Sequence, residues 1–197
     1  MNIRPFYVYQ KSVFPADFCD RVIAEGEKLP HSDGTVGMFE GERSDATIRS
    51  TELTFFPQKP EYGWLYDYIL QFINAANSKY WNFKLSAVEP VQYGVYNTSQ
   101  YYHWHVDQHS TPYKEGANKG LTRKLSFTMQ LTDENDYEGG DFELKDPGEE
   151  NKVVTIDGIR ARGSVIIFPS FILHRVTPVT RGTRRSMVGW IVGPPFV

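Results

Sequence analysis

The chain has 197 residues, 40% of them apolar, 23% charged and 15% aromatic, with a net charge of −3. That length fits one domain with a single sizeable core. The charge does not favour nucleic-acid binding through a broad basic face, since the densest cationic cluster is the three arginines within Arg181 to Arg185, though a small groove stays open. One cysteine, Cys19, leaves no internal disulfide and no thiolate metal cluster. No stretch approaches the ~18 apolar residues that span a bilayer, and Met1 to Gln10 lacks an apolar signal core. A cytoplasmic protein with no membrane partner is expected.

In chain order, Pro15 to Lys28 is predicted as a helix with Phe18, Cys19, Val22 and Ile23 on one stripe, Pro15 suiting its first turn. His31 to Asp45 is rich in Gly, Ser and Asp and reads as a long loop. Arg49 to Phe56 alternates like a strand and is stopped by Pro57. Trp64 to Ala76 is a second helix, carrying Leu65, Ile69, Phe72, Ile73 and Ala76. From Leu85 onward the pattern is of strands: Ala87 to Tyr96, Gln100 to Asp107, Lys124 to Thr132, Gly140 to Leu144, Val153 to Ile156, Ser164 to Pro169 and Arg184 to Val192. Turn signals such as Gly139-Gly140, Asp146-Pro147-Gly148 and Asp157-Gly158 separate them. Helices first and then a run of strands predict a mainly-β α+β fold: a single domain over 1–197, with 1–84 as helical support and 85–197 as the β core.

The densest chemistry lies in Tyr101-Tyr102-His103-Trp104-His105-Val106-Asp107-Gln108-His109. Strand alternation places His103, His105, Asp107 and His109 on one face and Tyr102, Trp104 and Val106 on the other. Such a polar face is costly to bury without partners. A His-x-Asp pair offers one nitrogen and one oxygen to a metal. One further imidazole completes a facial triad with open positions. Of the other histidines, His31 sits in the loop, whereas His174 follows the apolar run Val165 to Pro169 and is the better third ligand.

Ten residues beyond His174 stands Arg184, suited to bidentate capture of a carboxylate. Arg185 competes with it. Periodicity does not separate them, because Arg184 shares a face with Ser186, Val188 and Trp190, and Arg185 with Met187, Gly189 and Ile191.

These residues resemble the 2-oxoglutarate/Fe(II) dioxygenases of the prolyl 4-hydroxylase-like branch, over roughly Phe14 to Trp190. Tyr96 to Asp107 follows the family run Y-x-x-G-Q-x-Y-x-x-H-x-D. Arg123 to Ser126, and Tyr137-Glu138-Gly139-Gly140-Asp141-Phe142, are similar to the family's central strand and its G-G-[DE] turn. His174-Arg175-Val176-Thr177-Pro178-Val179 with Gly182-Thr183-Arg184 is similar to H-x-V-x-P-V with G-x-[RK]. The resemblance implies a double-stranded β-helix, a distorted jelly roll, braced by N-terminal helices. It implies iron ligands at His105, Asp107 and His174 and a 2-oxoglutarate anchor at Arg184, which breaks the tie with Arg185. Tyr96 matches a cosubstrate-pocket tyrosine, and Tyr102, with Trp104 beside it, would lie near the substrate. Fe(II), 2-oxoglutarate and O2 are the implied reagents, with ascorbate as an optional reductant. Two positions depart from the family: Ser99 stands where a glycine is usual, and the anchor is Arg where collagen-type prolyl hydroxylases carry Lys.

The activity implied is hydroxylation of a C–H bond, on a peptidyl residue such as proline presented by a peptide or protein, or alternatively on a free amino acid or small metabolite. Related halogenases replace the carboxylate ligand, and Asp107 is present. A cupin-type metal protein would share His103-x-His105 and Gly163 to His174. It would lack its expected glutamate and leave Arg184 unexplained. A dead binding module would usually have lost a ligand, and a nucleic-acid demethylase would show a stronger basic character.

Overall fold

Apolar residues at helical spacing early in the chain and at alternating spacing later divide it between helices and strands. The computed structural model describes residues 5–34, 36–38, 41–43 and 48–196, with only the backbone for 36–38 and 41–43. β1 (Val8–Gln10) precedes α1 (Ala16–Gly26), and the short β2 (Ser32–Asp33), β3 (Val36–Met38) and β4 (Gly41–Arg43) follow. β5 (Arg49–Ser50), β6 (Glu52–Phe56) and α2 (Gly63–Tyr80) complete the first half. The second half supplies β7 (Ala87–Val88), β8 (Val91–Tyr96), β9 (Tyr101–His105), β10 (Thr122–Gln130), β11 (Tyr137–Gly139), β12 (Phe142–Lys145) and β13 (Val153–Thr155). It ends with β14 (Val165–Pro169), β15 (His174–Val176), β16 (Val179–Gly182) and β17 (Arg184–Gly193).

The strands form a large sheet in the order β1-β14-β10-β17-β8-β6-β2, with β7 also paired to β17, and a small sheet in the order β13-β12-β15-β9-β5. Neighbours run antiparallel, as in β10 with β17 and β15 with β9. The central strands of the large sheet are buried on both faces, so each alternation serves two cores. Leu125, Phe127 and Met129 of β10 and Met187 and Ile191 of β17 pack toward Cys19, Val22, Leu65, Ile69 and Ile73 of the helices. Ile166 and Phe168 of β14 pack with Phe142, Leu144 and Val176 of the small sheet. The result is the double-stranded β-helix, braced on one side by α1 and α2. Among the described residues, no helix is long and apolar enough to cross a membrane.

Four stretches of the chain depart from the sequence expectations. The strand expected over Arg49 to Phe56 breaks at Thr51, whose hydroxyl donates to the Val95 carbonyl at 2.8 Å. There the chain changes sheets: β5 pairs with β9 in the small sheet, and β6 with β8 in the large one. Arg49 is thereby carried to the small-sheet side. Between Pro169 and Arg184, where the sequence predicted no strand, the chain holds β15 and β16. Helix α2 runs one turn past Ala76, closed where the Asn77 side chain exchanges hydrogen bonds with the backbone of Phe83 at 2.9 and 3.0 Å. The loop expected over His31 to Asp45 holds β2 and the β3–β4 pair. Residues 35, 39, 40 and 44–47 lie outside the described residues.

Candidate active site

His105 ends β9, and His174 begins the neighbouring β15, directly opposite it in register. The two rings lie 4.2 Å apart, centroid to centroid. Asp107 stands two residues past the strand, where its N–H and that of Gln108 both donate to the Ser170 carbonyl, at 3.0 and 2.9 Å. One donor atom from each of His105, Asp107 and His174 lies within 4.8 Å of the others. His105 Nε2 is 3.7 Å from Asp107 Oδ1, and His174 Nε2 is 3.5 Å from Asp107 Oδ2.

Each imidazole is oriented through its other nitrogen. Nδ1 of His105 bonds to the His103 carbonyl at 2.7 Å, and Nδ1 of His174 to the Ile172 carbonyl at 2.9 Å. A carbonyl only accepts, so each Nδ1 carries a proton, and in the neutral ring it is Nε2 that holds the lone pair. Burial, reinforced by the neighbouring His174, pushes His105 down to about 3, so its imidazole is neutral. For Asp107, burial works toward the neutral acid, but nearby positive charge outweighs it and holds the carboxyl below its usual value. Two imidazole nitrogens and one carboxylate oxygen suit a divalent first-row cation. Oδ2 of Asp107 is buried without a hydrogen-bond partner, a costly state that a cation would relieve.

The cavity in front of these atoms is lined by Tyr96, Tyr102, Phe142, Phe168, Arg184 and Trp190, among others. Arg184 is 3% exposed. Its Nη1 donates to Ser186 Oγ at 3.0 Å, and its Cζ lies 5.4 Å from the Tyr96 ring centroid. Arg185 points out of the cavity and donates to Glu27 at 2.9 Å. Gly139 and Gly140 take φ values of +68° and +61°. A Cβ on Gly140 would stand 2.8 Å from Cδ of Arg184, so the glycine turn makes room for the arginine stem.

The structure corrects the alternation drawn along β9. Between His105 and Tyr102 the strand spends three residues against two of β15, a bulge. Tyr102 is thereby turned to the His105 side. His103, expected on the same face as His105, is exposed and takes the Trp104 N–H on its Nδ1 at 2.7 Å. His109 packs against Tyr113 at 5.2 Å, away from the three donors. Trp104, expected near the substrate, is not among the cavity residues. Its ring is covered by Arg175 at 4.7 Å and Lys145 at 5.3 Å, because the bulge leaves it on the outer face of the small sheet. His31 bonds to Gly26 at the end of α1, remote from the site. Sequence reasoning missed Arg49, whose guanidinium lies 4.5 Å from the Tyr102 ring centroid. It also missed Gln92, Thr128, Phe142, Phe168 and Trp190 as lining residues. For Trp190, position six after Arg184 on the same face was the available signal.

A family model for the 2OG-Fe(II) oxygenase superfamily matches residues 91–192, just over half of the chain. A PKHD-type hydroxylase of Idiomarina loihiensis is 32% identical over 96 residues, 49% of this chain and 38% of that protein. One from Synechococcus sp. is 41% identical over 90 residues, 46% of this chain and 36% of that protein. The match thus spans well under half the length of these curated relatives. Among solved structures, a Pseudomonas putida prolyl-4-hydroxylase shares the fold with a TM-score of 0.69 at 18% identity, covering 94% of this chain and 91% of that one. A prolyl hydroxylase from Trichoplax adhaerens, in complex with a hypoxia inducible factor peptide fragment, gives 0.73 at 18% identity, covering 95% and 84%.

Proposed function

The chain belongs to the 2OG-Fe(II) oxygenase superfamily, and we propose that it is an Fe(II)- and 2-oxoglutarate-dependent dioxygenase hydroxylating a C–H bond of a peptidyl residue, with proline the leading candidate. The observation that carries this reading is the convergence of His105, Asp107 and His174 in one cavity with the buried Arg184.

Nε2 of His105, Nε2 of His174 and the carboxylate of Asp107 would hold the metal. When bound, Fe(II) with 2-oxoglutarate and O2 supplies oxidative decarboxylation to succinate and CO2 and delivers one oxygen atom to the substrate carbon. The residues of the chain bind, orient and exclude water. The Nδ1 contacts fix both imidazole planes before any ligand arrives. Arg184 would receive the distal carboxylate of 2-oxoglutarate through guanidinium N–H groups beyond the one spent on Ser186. Tyr96 lies beside that guanidinium. Phe142, Phe168, Val176 and Trp190 give the cavity apolar walls, which strengthen charge interactions inside it.

The curated relatives are named as hydroxylases, which supports the reaction class. Two features support a peptide as the substrate. A neighbour of the same fold is in complex with a peptide fragment. The Ser110 to Leu121 segment, directly after Asp107, is mostly exposed and available to a long ligand. The test is mass spectrometry after incubation with Fe(II), 2-oxoglutarate and O2, ascorbate being added as reductant. Proline-containing peptides should gain one oxygen and stimulate succinate formation. Efficient hydroxylation of free proline with every peptide ignored would move the assignment to a small-metabolite hydroxylase.

A further inference from the structure

Arg123 stands at the start of β10, and its guanidinium reaches three elements at once. Nε donates to the two carboxylate oxygens of Glu89 at 3.2 and 3.1 Å, and Nη2 donates to Oε2 at 2.7 Å. Nη1 donates to the main-chain carbonyl of Asp107 at 3.4 Å. The guanidinium carbon lies 3.9 Å from the ring centroid of Trp190, a cavity residue. The Glu89 N–H in turn donates to the Trp190 carbonyl at 2.9 Å. A fourth element joins through Tyr113, whose hydroxyl donates to Glu89 Oε1 at 2.7 Å. Tyr113 is the hub of the segment after the metal-binding turn: its N–H donates to Leu121, and its carbonyl accepts from Gly120, at 2.9 and 2.8 Å.

A buried carboxylate and guanidinium lose much of their attraction to desolvation, and an apolar pair would join the strands as well. What the fork adds is direction. Its N–H groups lie in one plane, so seating it on Glu89 also fixes where Nη1 points and which ring it covers. We propose that Arg123 is a positioning residue: held by Glu89, it sets the Asp107 main chain and the plane of Trp190. Through Tyr113, the same carboxylate ties the position of the Ser110 to Leu121 segment to the metal-binding turn. The proposal rests on the reading of His105, Asp107 and His174 as the metal site.

Mn(II) alone serves as the probe, its affinity read by electron paramagnetic resonance on the full chain, with amide hydrogen exchange measured alongside. Arg123→Lys keeps the charge and loses the fork, whereas Arg123→Met loses both. Positioning predicts that each weakens Mn(II) binding by about tenfold and speeds exchange across 107–121. Affinity in Arg123→Lys equal to the parent, even with a lowered melting temperature, overturns the proposal and leaves a structural brace. Should both variants fail to fold, Tyr113→Phe decides. Faster exchange over 110–121 together with weaker Mn(II) binding supports the coupling, and faster exchange with unchanged affinity overturns it. His105→Ala is the reference. If it loses Mn(II) while Arg123→Lys does not, positioning alone is wrong; if it retains Mn(II), the site reading beneath the proposal falls as well.

Discussion

The phenol ring of Tyr102 lies flat on the imidazole of His105, with centroids 3.5 Å apart and planes 13° from parallel. Together with the Nδ1 contact to the His103 carbonyl, this stacking leaves the imidazole one orientation, with Nε2 toward Asp107 and His174. Ring pairs of this kind contribute about 1 kcal/mol beyond area burial. Tyr102→Ala should therefore weaken metal affinity about fivefold, and Tyr102→Phe should stay close to the parent. Burial pushes the Tyr102 phenol up to about 12, so the difference should not vary across neutral pH. Equal losses in both variants, measured by metal titration, would show that the hydroxyl and not the ring is what matters.

Arg184 and Arg185 part company in the fold, one buried in the cavity and one paired with Glu27. Arg184→Ala should raise the KM for 2-oxoglutarate by ~10- to 100-fold, the loss of a charge-assisted contact of about 1.5–3 kcal/mol. Arg185→Ala should leave that KM within about twofold and lower the melting temperature. Gly140→Ala should act like a mild Arg184 variant, because its methyl group would crowd the arginine stem at a positive φ. Kinetics with varied 2-oxoglutarate check all three, and a larger effect at Arg185 would move the anchor.

Ser99 replaces the glycine usual in the resembling family, yet it keeps the backbone that glycine favours, with φ of +73°. Its N–H is committed to the Val179 carbonyl at 2.7 Å, which joins the turn before β9 to β16. A short polar side chain tolerates this region better than a branched one. Ser99→Val should cost about 1–2 kcal/mol, and Ser99→Gly should be neutral or stabilising. Chemical denaturation tests the ranking, and a stable Ser99→Val would mean that the turn relaxes to another conformation.

Glu27 sets an acid limb of stability. Burial opposes its ionisation, but hydrogen bonds from Arg185 and Tyr93 outweigh that and hold the carboxyl below its usual value. On acidification the unfolded chain takes the proton first. The stabilising contribution is therefore complete above the unfolded carboxylate value, ~4.3, and is lost as pH falls through the folded value. Melting temperature against pH should fall less steeply in Glu27→Gln than in the parent below about pH 5. Parallel curves would remove Glu27 from the acid response.

The legible parts of the site were those that local pattern determines. Glycine and apolar alternation marked the strands, and the His-x-Asp spacing with His174 after an apolar strand marked the donors. Alternation failed where one extra residue entered β9, because a bulge leaves no mark in composition. That single insertion turned Tyr102 inward and left His103 and Trp104 outside. Arg49 was illegible for a different reason. Its place depends on the chain switching sheets at Thr51, a tertiary event fixed by the distant Val95 carbonyl. The Glu89–Arg123–Tyr113 network joins residues up to 34 positions apart, beyond the reach of periodicity.

We assign a divalent metal to His105, Asp107 and His174, and not to His103, two residues from His105. Anaerobic calorimetric titration of Fe(II) into the parent and the four alanine variants tests it most directly. Loss of the binding isotherm in His105→Ala, Asp107→Ala and His174→Ala, with near-parental binding in His103→Ala, is the expected result. Retained binding in His105→Ala together with loss in His103→Ala would contradict this assignment.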